Sequence, residues 1–364
     1  MTIFDDKRDI DASDPVFTPS QLHDALLPML RGNLPVLVSG QPGQGKTDIV
    51  EQVCDELGYD LVKTHPVVDE PIDYKGFPFP YTDSNDVPKA AFIPFAGLER
   101  LMRAERPLVS FADDLGHAPK AVQAAYMQLL LNRSINDKPI SEHVRFIAAT
   151  NRKEDKAGVQ GFLEPLKDRF VAVVELISSL EDWIAWAVKQ KLPHEIIAYV
   201  RYVPQILDEW KPRPDFSRTP TPRGIYGVAR MLQAGIPDNL RLKMISGAIG
   251  KSRAAEFVGF LDIYKELVNP EDVIKDPMGV PMPQKPGHKF ALCGALAARA
   301  KKSNIESIIK FADRFSDPGE FADGIAQDEF SVFLVRDAVN MDRVPLSKTR
   351  AFIDWMDKHE DVLI

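Results

Sequence analysis

Only two cysteines, Cys54 and Cys293, occur in 364 residues. That is too few for a disulfide framework, and both lie in apolar helical contexts that favour buried free thiols over a bridge or a metal site. The seven histidines show no ligand-type spacing, so a zinc centre is not expected. No apolar run approaches the ~20 residues that a membrane span needs. The opening residues Met1–Arg8 lack the apolar core of a signal peptide, so a cytoplasmic location is expected. Positive charge is also short: 45 Lys and Arg against 53 Asp and Glu leave a formal net charge of −8. A nucleic-acid binder must concentrate basic residues to displace counterions, yet only short clusters such as Arg299, Lys301 and Lys302 are present. These read as solvated helix surface. Repeats and low-complexity tracts are absent, and the length suffices for two or three soluble domains with a substantial core.

What is present is a glycine-rich stretch, Gly40-Gln41-Pro42-Gly43-Gln44-Gly45-Lys46-Thr47, which satisfies the phosphate-loop pattern G-x-x-x-x-G-K-S/T in full. The apolar run Pro35–Ser39 before it reads as a buried strand. The stretch Thr47–Leu57 after it has helical spacing, with Ile49, Val50, Val53 and Leu57 on one face. Between strand and helix the glycines let successive N–H groups point at a β-phosphate, and the helix N-terminus adds its positive end. Lys46 would reach the β and γ oxygens, and the Thr47 hydroxyl can ligate Mg²⁺. ATP and Mg²⁺ are the expected cofactors.

A second apolar run, Pro107–Ala112, delivers Asp113 and Asp114 to its C-terminal end, the edge at which parallel α/β sheets place ligands. In a phosphate-loop protein Asp113 would hold Mg²⁺ through water and Asp114 would polarise an attacking water. By itself such a run also describes a strand that ends in a solvated turn. A third run, Val144–Thr150, ends in Asn151, placed to hydrogen-bond the attacking water or the γ-phosphate, although Asn at a strand end is commonly a turn former.

The fold expected is α/β, a parallel sheet flanked by helices, followed by a small all-helical domain and a helical C-terminal segment. Residues 1–17 read as a flexible arm, 18–177 as the nucleotide-binding domain, 178–266 as the helical lid, 267–289 as a Pro-rich linker and 290–364 as the tail. Strands are expected at Tyr59–Thr64 and Val171–Leu176. Helices are expected from Thr18, over Ala118–Asn132 and over Glu195–Trp210, and from Ser303 with a Ser303…Glu306 capping box. The irregular stretch Val67–Phe95, rich in Pro, Gly and aromatics, is too long for a plain connection and suggests an inserted hairpin or an ordered surface loop. Thr221-Pro222-Arg223 reads as a helix start, with Thr221 as cap and Pro222 at the first position, which fixes Arg223 in the first turn.

In order, Gly40–Thr47, Asp113-Asp114, Asn151, Arg169 and Thr221-Pro222-Arg223 resemble the Walker A, Walker B, sensor 1, arginine finger and sensor 2 of an AAA+ ATPase. The resemblance covers about residues 18–265 and is closest to the MoxR-like branch, with Val67–Phe95 as the helix-2 insert. It implies a ring, usually hexameric, with ATP between subunits. Arg169 would then reach a neighbour's γ-phosphate, and Arg223 would contact nucleotide from the lid. The client would be a protein, often one with a von Willebrand factor A domain. The family usually carries Asp-Glu where this chain has Asp113-Asp114. The shorter side chain pulls the carboxylate back by one bond length, so slow hydrolysis is expected. Other functions compatible with a phosphate loop are a nucleic-acid motor or loader, a metabolite kinase, and a scaffold that uses ATP only to assemble.

Overall fold

The computed structural model describes residues 15–136, 138–152, 155, 161–266, 269–341 and 348–359. It divides into two compact units, Met1–Ser179 and Leu180–Ile364.

In the first unit the elements in chain order are β1 (Val16–Phe17), α1 (Pro19–Arg31), β2 (Val36–Gly40), α2 (Lys46–Leu57), β3 (Asp60–Thr64), β4 (Phe77–Thr82), β5 (Pro88–Ile93) and α3 (Ala96–Met102). They continue with β6 (Leu108–Ala112), α4 (Lys120–Asn132), β7 (Ser134–Ile135), β8 (Lys138–Pro139), β9 (Val144–Thr150), α5 (Glu164–Lys167) and β10 (Ala172–Leu176). Six strands form one sheet in the order β1-β10-β2-β9-β6-β3, every pair parallel. Alternation splits each strand between two cores. Val36, Val38, Val109, Phe111, Ile147 and Ala149 face Leu22, Leu26 and Leu30 of α1 and Ile49, Val50 and Val53 of α2. Leu37, Leu108, Ala112, Phe146 and Ala148 face Val122, Tyr126 and Leu129 of α4. Because both faces are covered, the strands read as continuous apolar runs, which is why they were visible in sequence.

Residues 77–93 form the expected hairpin. β4 and β5 pair antiparallel, apart from the main sheet, with Phe77 opposite Ile93, Phe79 opposite Ala91 and Tyr81 opposite Lys89. Phe77, Phe79, Tyr81 and Ile93 are exposed. The arm expected over 1–17 requires correction at its end, since Val16 and Phe17 pair with Glu175 and Leu176 as an edge strand; residues 1–14 lie outside the described residues.

The second unit is helical: α6 (Leu180–Lys189), α7 (His194–Tyr202), α8 (Pro222–Gln233), α9 (Asp238–Ile249), α10 (Lys251–Glu266), α11 (Pro270–Lys275), α12 (Pro286–Ala297), α13 (Ile305–Asp313), α14 (Asp328–Met341) and α15 (Arg350–Lys358). The expected helix Glu195–Trp210 is broken after Tyr202. Pro204 disfavours helical backbone at Val203, which sits at φ −130° and ψ 66°, and the chain goes on as a 3₁₀ turn over Pro204–Asp208. The linker expected over 267–289 is, in its described part, structured: it contains α11, and Val273 and Met282 join the core of the tail helices. The Ser303 capping box does not form. Asn304 occupies the cap position of α13, but its side chain accepts from Lys301 N at 2.7 Å and donates to Arg299 O at 2.9 Å, closing the preceding turn instead.

Helix α12 packs on both α7 and α14, and between α7 and α14 Arg201 donates to Asp337, both side chains buried. Burial outweighs the pairing on each partner: it lowers the guanidinium below its ordinary range and raises the carboxyl above its own. The Arg201 guanidinium also lies 4.5 Å from the Phe333 ring centroid. Removing one member leaves a buried charge uncompensated, so Asp337→Ala should cost about 3–5 kcal/mol, whereas replacing both by apolar residues should cost far less. Denaturant titration followed by tryptophan fluorescence reports this unit alone, because all four tryptophans, at 183, 186, 210 and 355, lie in it.

Candidate functional site

The phosphate loop spans the end of β2 and the start of α2. Gly43 and Gly45 have φ of 80° and 93°, conformations that L side chains rarely adopt. Gly40 is required for space: a Cβ there would stand 2.7 Å from Gln44 Oε1 and 2.9 Å from Leu176 O. Pro42 sits in the turn between them. The side chains of Gln41 and Gln44 are buried, each with an amide oxygen that has no hydrogen-bond partner, while Gln44 Nε2 donates to Ser178 Oγ at 3.2 Å.

Lys46 is buried in the first turn of α2 and its ammonium donates to Gly40 O at 2.8 Å, Gln41 O at 3.0 Å and Asn151 Oδ1 at 2.9 Å. Thr47 Oγ1 donates to Asp113 Oδ2 at 2.8 Å. The parallel register explains these meetings. β2 lies beside β9, and β9 beside β6, so the C-terminal ends of all three strands open on one edge. Asp113 follows β6 directly and its N–H bonds to Thr64 O at 3.0 Å. Asp114 takes the left-handed conformation, φ 58° and ψ 33°, which Asp tolerates better than most residues. This turns its carboxylate towards Asn151, whose Nδ2 lies 3.4 Å from Asp114 Oδ1. The Asp114 side chain is 44% exposed and so remains open to water.

Sequence reasoning missed His117, at the end of a 3₁₀ turn over Leu115–His117. Its Nε2 lies 3.3 Å from Asn151 Nδ2 and its Nδ1 3.6 Å from Asp114 Oδ1. It also missed Arg152, which is clamped by Asp155 and donates through Nη1 to Glu175 Oε1 of β10 at 2.9 Å. Burial opposes the Arg152 charge, but its hydrogen bonds to Asp155 and Glu175 outweigh it and hold the guanidinium above its ordinary range. Gln123 was likewise missed. It is fully buried in α4, donates to Ala118 O and Gly161 O and accepts from Leu163 N, each at 3.0 Å, tying α4 to the segment that enters α5. A polar residue at a buried helical position was the only local signal of it.

Arg169 is not brought to this edge. It lies in the turn before β10, where Val171 N bonds to Pro35 O ahead of β2, while Leu176 at the far end of β10 pairs with Gly40. The strand between them places Arg169 roughly 15 Å or more from the phosphate loop of its own chain. Its Nη1 reaches Asp168 at 3.3 Å and its Nε is buried with no hydrogen-bond partner. Arg223 belongs to the second unit. There Thr221 Oγ1 accepts from Gly224 N at 2.9 Å, Pro222 opens α8, and Arg223 is exposed in the first turn, as the capping pattern predicts.

Both cysteines are buried and free. Burial, aided by the nearby Asp55 and Glu51, pushes the Cys54 thiol up to about 12, which suits an inert packing role. Among the described residues no helix is long and apolar enough to cross a membrane, and no group of three or more His, Cys, Asp or Glu is placed to hold a metal ion.

No protein-family model matches the chain, and no curated protein matches it in sequence. Solved structures similar to it include the Holliday junction branch migration motor RuvB of Thermotoga maritima, at 17% identity over 76% of this chain and 80% of that one, with a TM-score of 0.38. NtrX from Brucella abortus is similar at 11% identity over 87% of this chain and 67% of that one, with a TM-score of 0.39. These similarities are too remote to carry function, which rests on the geometry of the chain itself.

Proposed function

We propose that this chain is an ATPase of the AAA+ type, of the MoxR-like branch, which assembles into a ring and uses ATP hydrolysis to remodel or activate a protein partner. The observation that carries this reading is the meeting of Lys46, Thr47, Asp113, Asp114 and Asn151 at one edge of the parallel sheet. The residues suit nucleotide and Mg²⁺. Gly40 lets the loop close against Gln44 and Leu176, where a Cβ would clash, and Thr47 and Asp113 offer the hard oxygen donors that Mg²⁺ prefers. Since no larger ligand cluster exists among the described residues, Thr47 and Asp113 would hold Mg²⁺ jointly with phosphate oxygens. When bound, the ion would offset negative charge on those oxygens.

The division of labour among the side chains follows from their partners. The Lys46 ammonium, now on two loop carbonyls and Asn151, is within a rotamer change of a phosphate seated on the loop. Asn151 orients water through its amide. Asp114, exposed beside it, accepts the hydrogen bond or proton of that water. Arg169, distant from its own loop, completes a neighbour's site, and Arg223 contacts nucleotide from a lid formed by residues 178–266. The exposed aromatic face of the β4–β5 hairpin offers the client surface.

The test is phosphate release from ATP by the natural protein and two variants at Asp114. Asp114→Glu should raise turnover several-fold by restoring reach, and Asp114→Asn should lower it on the order of 10²-fold. Equal turnover by Asp114→Asn and the natural protein would remove Asp114 from the catalytic role.

A further inference from the structure

We infer that His117 is a positioning residue for hydrolysis, holding the Asn151 amide in the orientation that faces Asp114; this inference rests on the ATPase reading above. The Lys46 ammonium can only donate, so the Asn151 oxygen must face it, as the 2.9 Å contact shows. The Asn151 nitrogen is thereby turned to the opposite side, where two groups await it: Asp114 Oδ1 at 3.4 Å and His117 Nε2 at 3.3 Å. An amide nitrogen donates, so His117 Nε2 accepts. The imidazole is then the tautomer protonated on Nδ1, the atom 3.6 Å from Asp114 Oδ1.

His117 thus stands beside both polar groups proposed to handle water. The ring is largely buried, with 9% of its side chain exposed, whereas Asp114 beside it is 44% exposed. The contacts of the Asn151 nitrogen, 3.4 Å to Asp114 and 3.3 Å to His117, are each long for a hydrogen bond, so its position depends on the two together. Lys46 and Asp114 select the same orientation of the amide, but with only the Asp114 contact to hold its nitrogen the amide could still swing about its last bond. His117 removes that freedom, so its loss should reduce the rate of the chemical step and leave nucleotide binding by the loop in place.

Two substitutions in the full chain separate this role from filling space. His117→Gln sets an amide oxygen near the position of Nε2 and keeps an acceptor for Asn151; His117→Leu keeps the volume and offers none. We expect His117→Leu to lower kcat about tenfold, the usual scale for residues supporting a reacting group, with nucleotide affinity within about twofold of the natural protein. His117→Gln should recover kcat to within about threefold on the same scale. Equal kcat for Leu and Gln, or a parallel loss of affinity and kcat in Leu, would overturn the inference. The ¹⁵N resonances of the imidazole give a readout independent of turnover: the His117 Nε2 signal should be that of an unprotonated acceptor and should move in Asn151→Ala. A signal unmoved by Asn151→Ala overturns the inference. A natural protein that binds but never hydrolyses ATP overturns instead the ATPase reading and the catalytic purpose of His117, while the imidazole signal still decides whether His117 holds Asn151.

Discussion

Arg169→Ala should lower ATP turnover by about 10³-fold or more, the range measured when an arginine reaching the γ-phosphate is lost, with nucleotide affinity little changed. The cause lies in where β10 begins and ends. The strand carries Leu176 to the side of Gly40 and leaves Arg169 at the opposite edge of the sheet, out of reach of its own loop. A defect of this size must then come from a site on another copy. Mixing distinguishes the two geometries. Arg169→Ala subunits keep Lys46, and Lys46→Ala subunits keep Arg169. An equal mixture leaves about one quarter of the interfaces in a closed ring with both groups intact, and turnover should return to that order. A metabolite kinase, or any enzyme with a self-contained site, would regain nothing and would stay monomeric with ATP.

Lys46→Ala should abolish hydrolysis and weaken ATP binding on the order of 10²-fold or more, the scale for truncating a buried, hydrogen-bonded charge. A fluorescent nucleotide titration measures the affinity and phosphate release the rate. Lys46→Arg should fail too. The ammonium is buried and enclosed by Gly40 O, Gln41 O and Asn151 Oδ1 at 2.8–3.0 Å, a space shaped for three point donors and not for a planar fork. Because Lys46 also satisfies two loop carbonyls, thermal unfolding of the variant should be recorded beside its affinity. A lowered midpoint with unchanged affinity would assign Lys46 to loop stability alone.

The parts of this site legible in sequence are those whose geometry is set by near neighbours. The phosphate loop is specified by glycines and a lysine within eight positions, and the flanking strands announce themselves because a sheet covered on both faces leaves uninterrupted apolar runs. The Thr221 cap was legible for the same reason: cap, proline and first turn are adjacent. His117, Gln123 and Arg152 were not. Each has a partner far along the chain, Asn151 34 residues from His117, Gly161 38 from Gln123 and Glu175 23 from Arg152, and no periodicity records which loop residue will face which strand end. Val16 and Phe17 were read as loose chain because two residues give no pattern, yet β10 pairs with them. The helix break at Val203 was visible in principle, since Pro204 disfavours helical backbone before it. The linker failed for a different reason. Proline marks where a helix starts as readily as where structure stops, and Pro270 and Pro286 each stand at the head of a helix.

The hairpin of residues 77–93 places its prolines at one set of backbone positions. Asp83 N bonds to Val87 O at 3.1 Å, which with the register makes Tyr81–Lys89, Phe79–Ala91 and Phe77–Ile93 the hydrogen-bonded pairs. Pro78, Pro80 and Pro88 therefore fall at the alternate positions, where a backbone N–H would point outward from the ribbon. The outer margin of β4 has lost its donors at Pro78 and Pro80, whereas that of β5 loses the one at Pro88 and keeps those of Ala90 and Phe92, so β4 is the margin poorly suited to templating a further strand. An exposed aromatic ribbon is ordinarily a hazard for fibrous self-association. Here Pro78 and Pro80 let the chain keep Phe77, Phe79 and Tyr81 in water while hindering backbone recruitment along β4, so a partner at that margin is met through side chains.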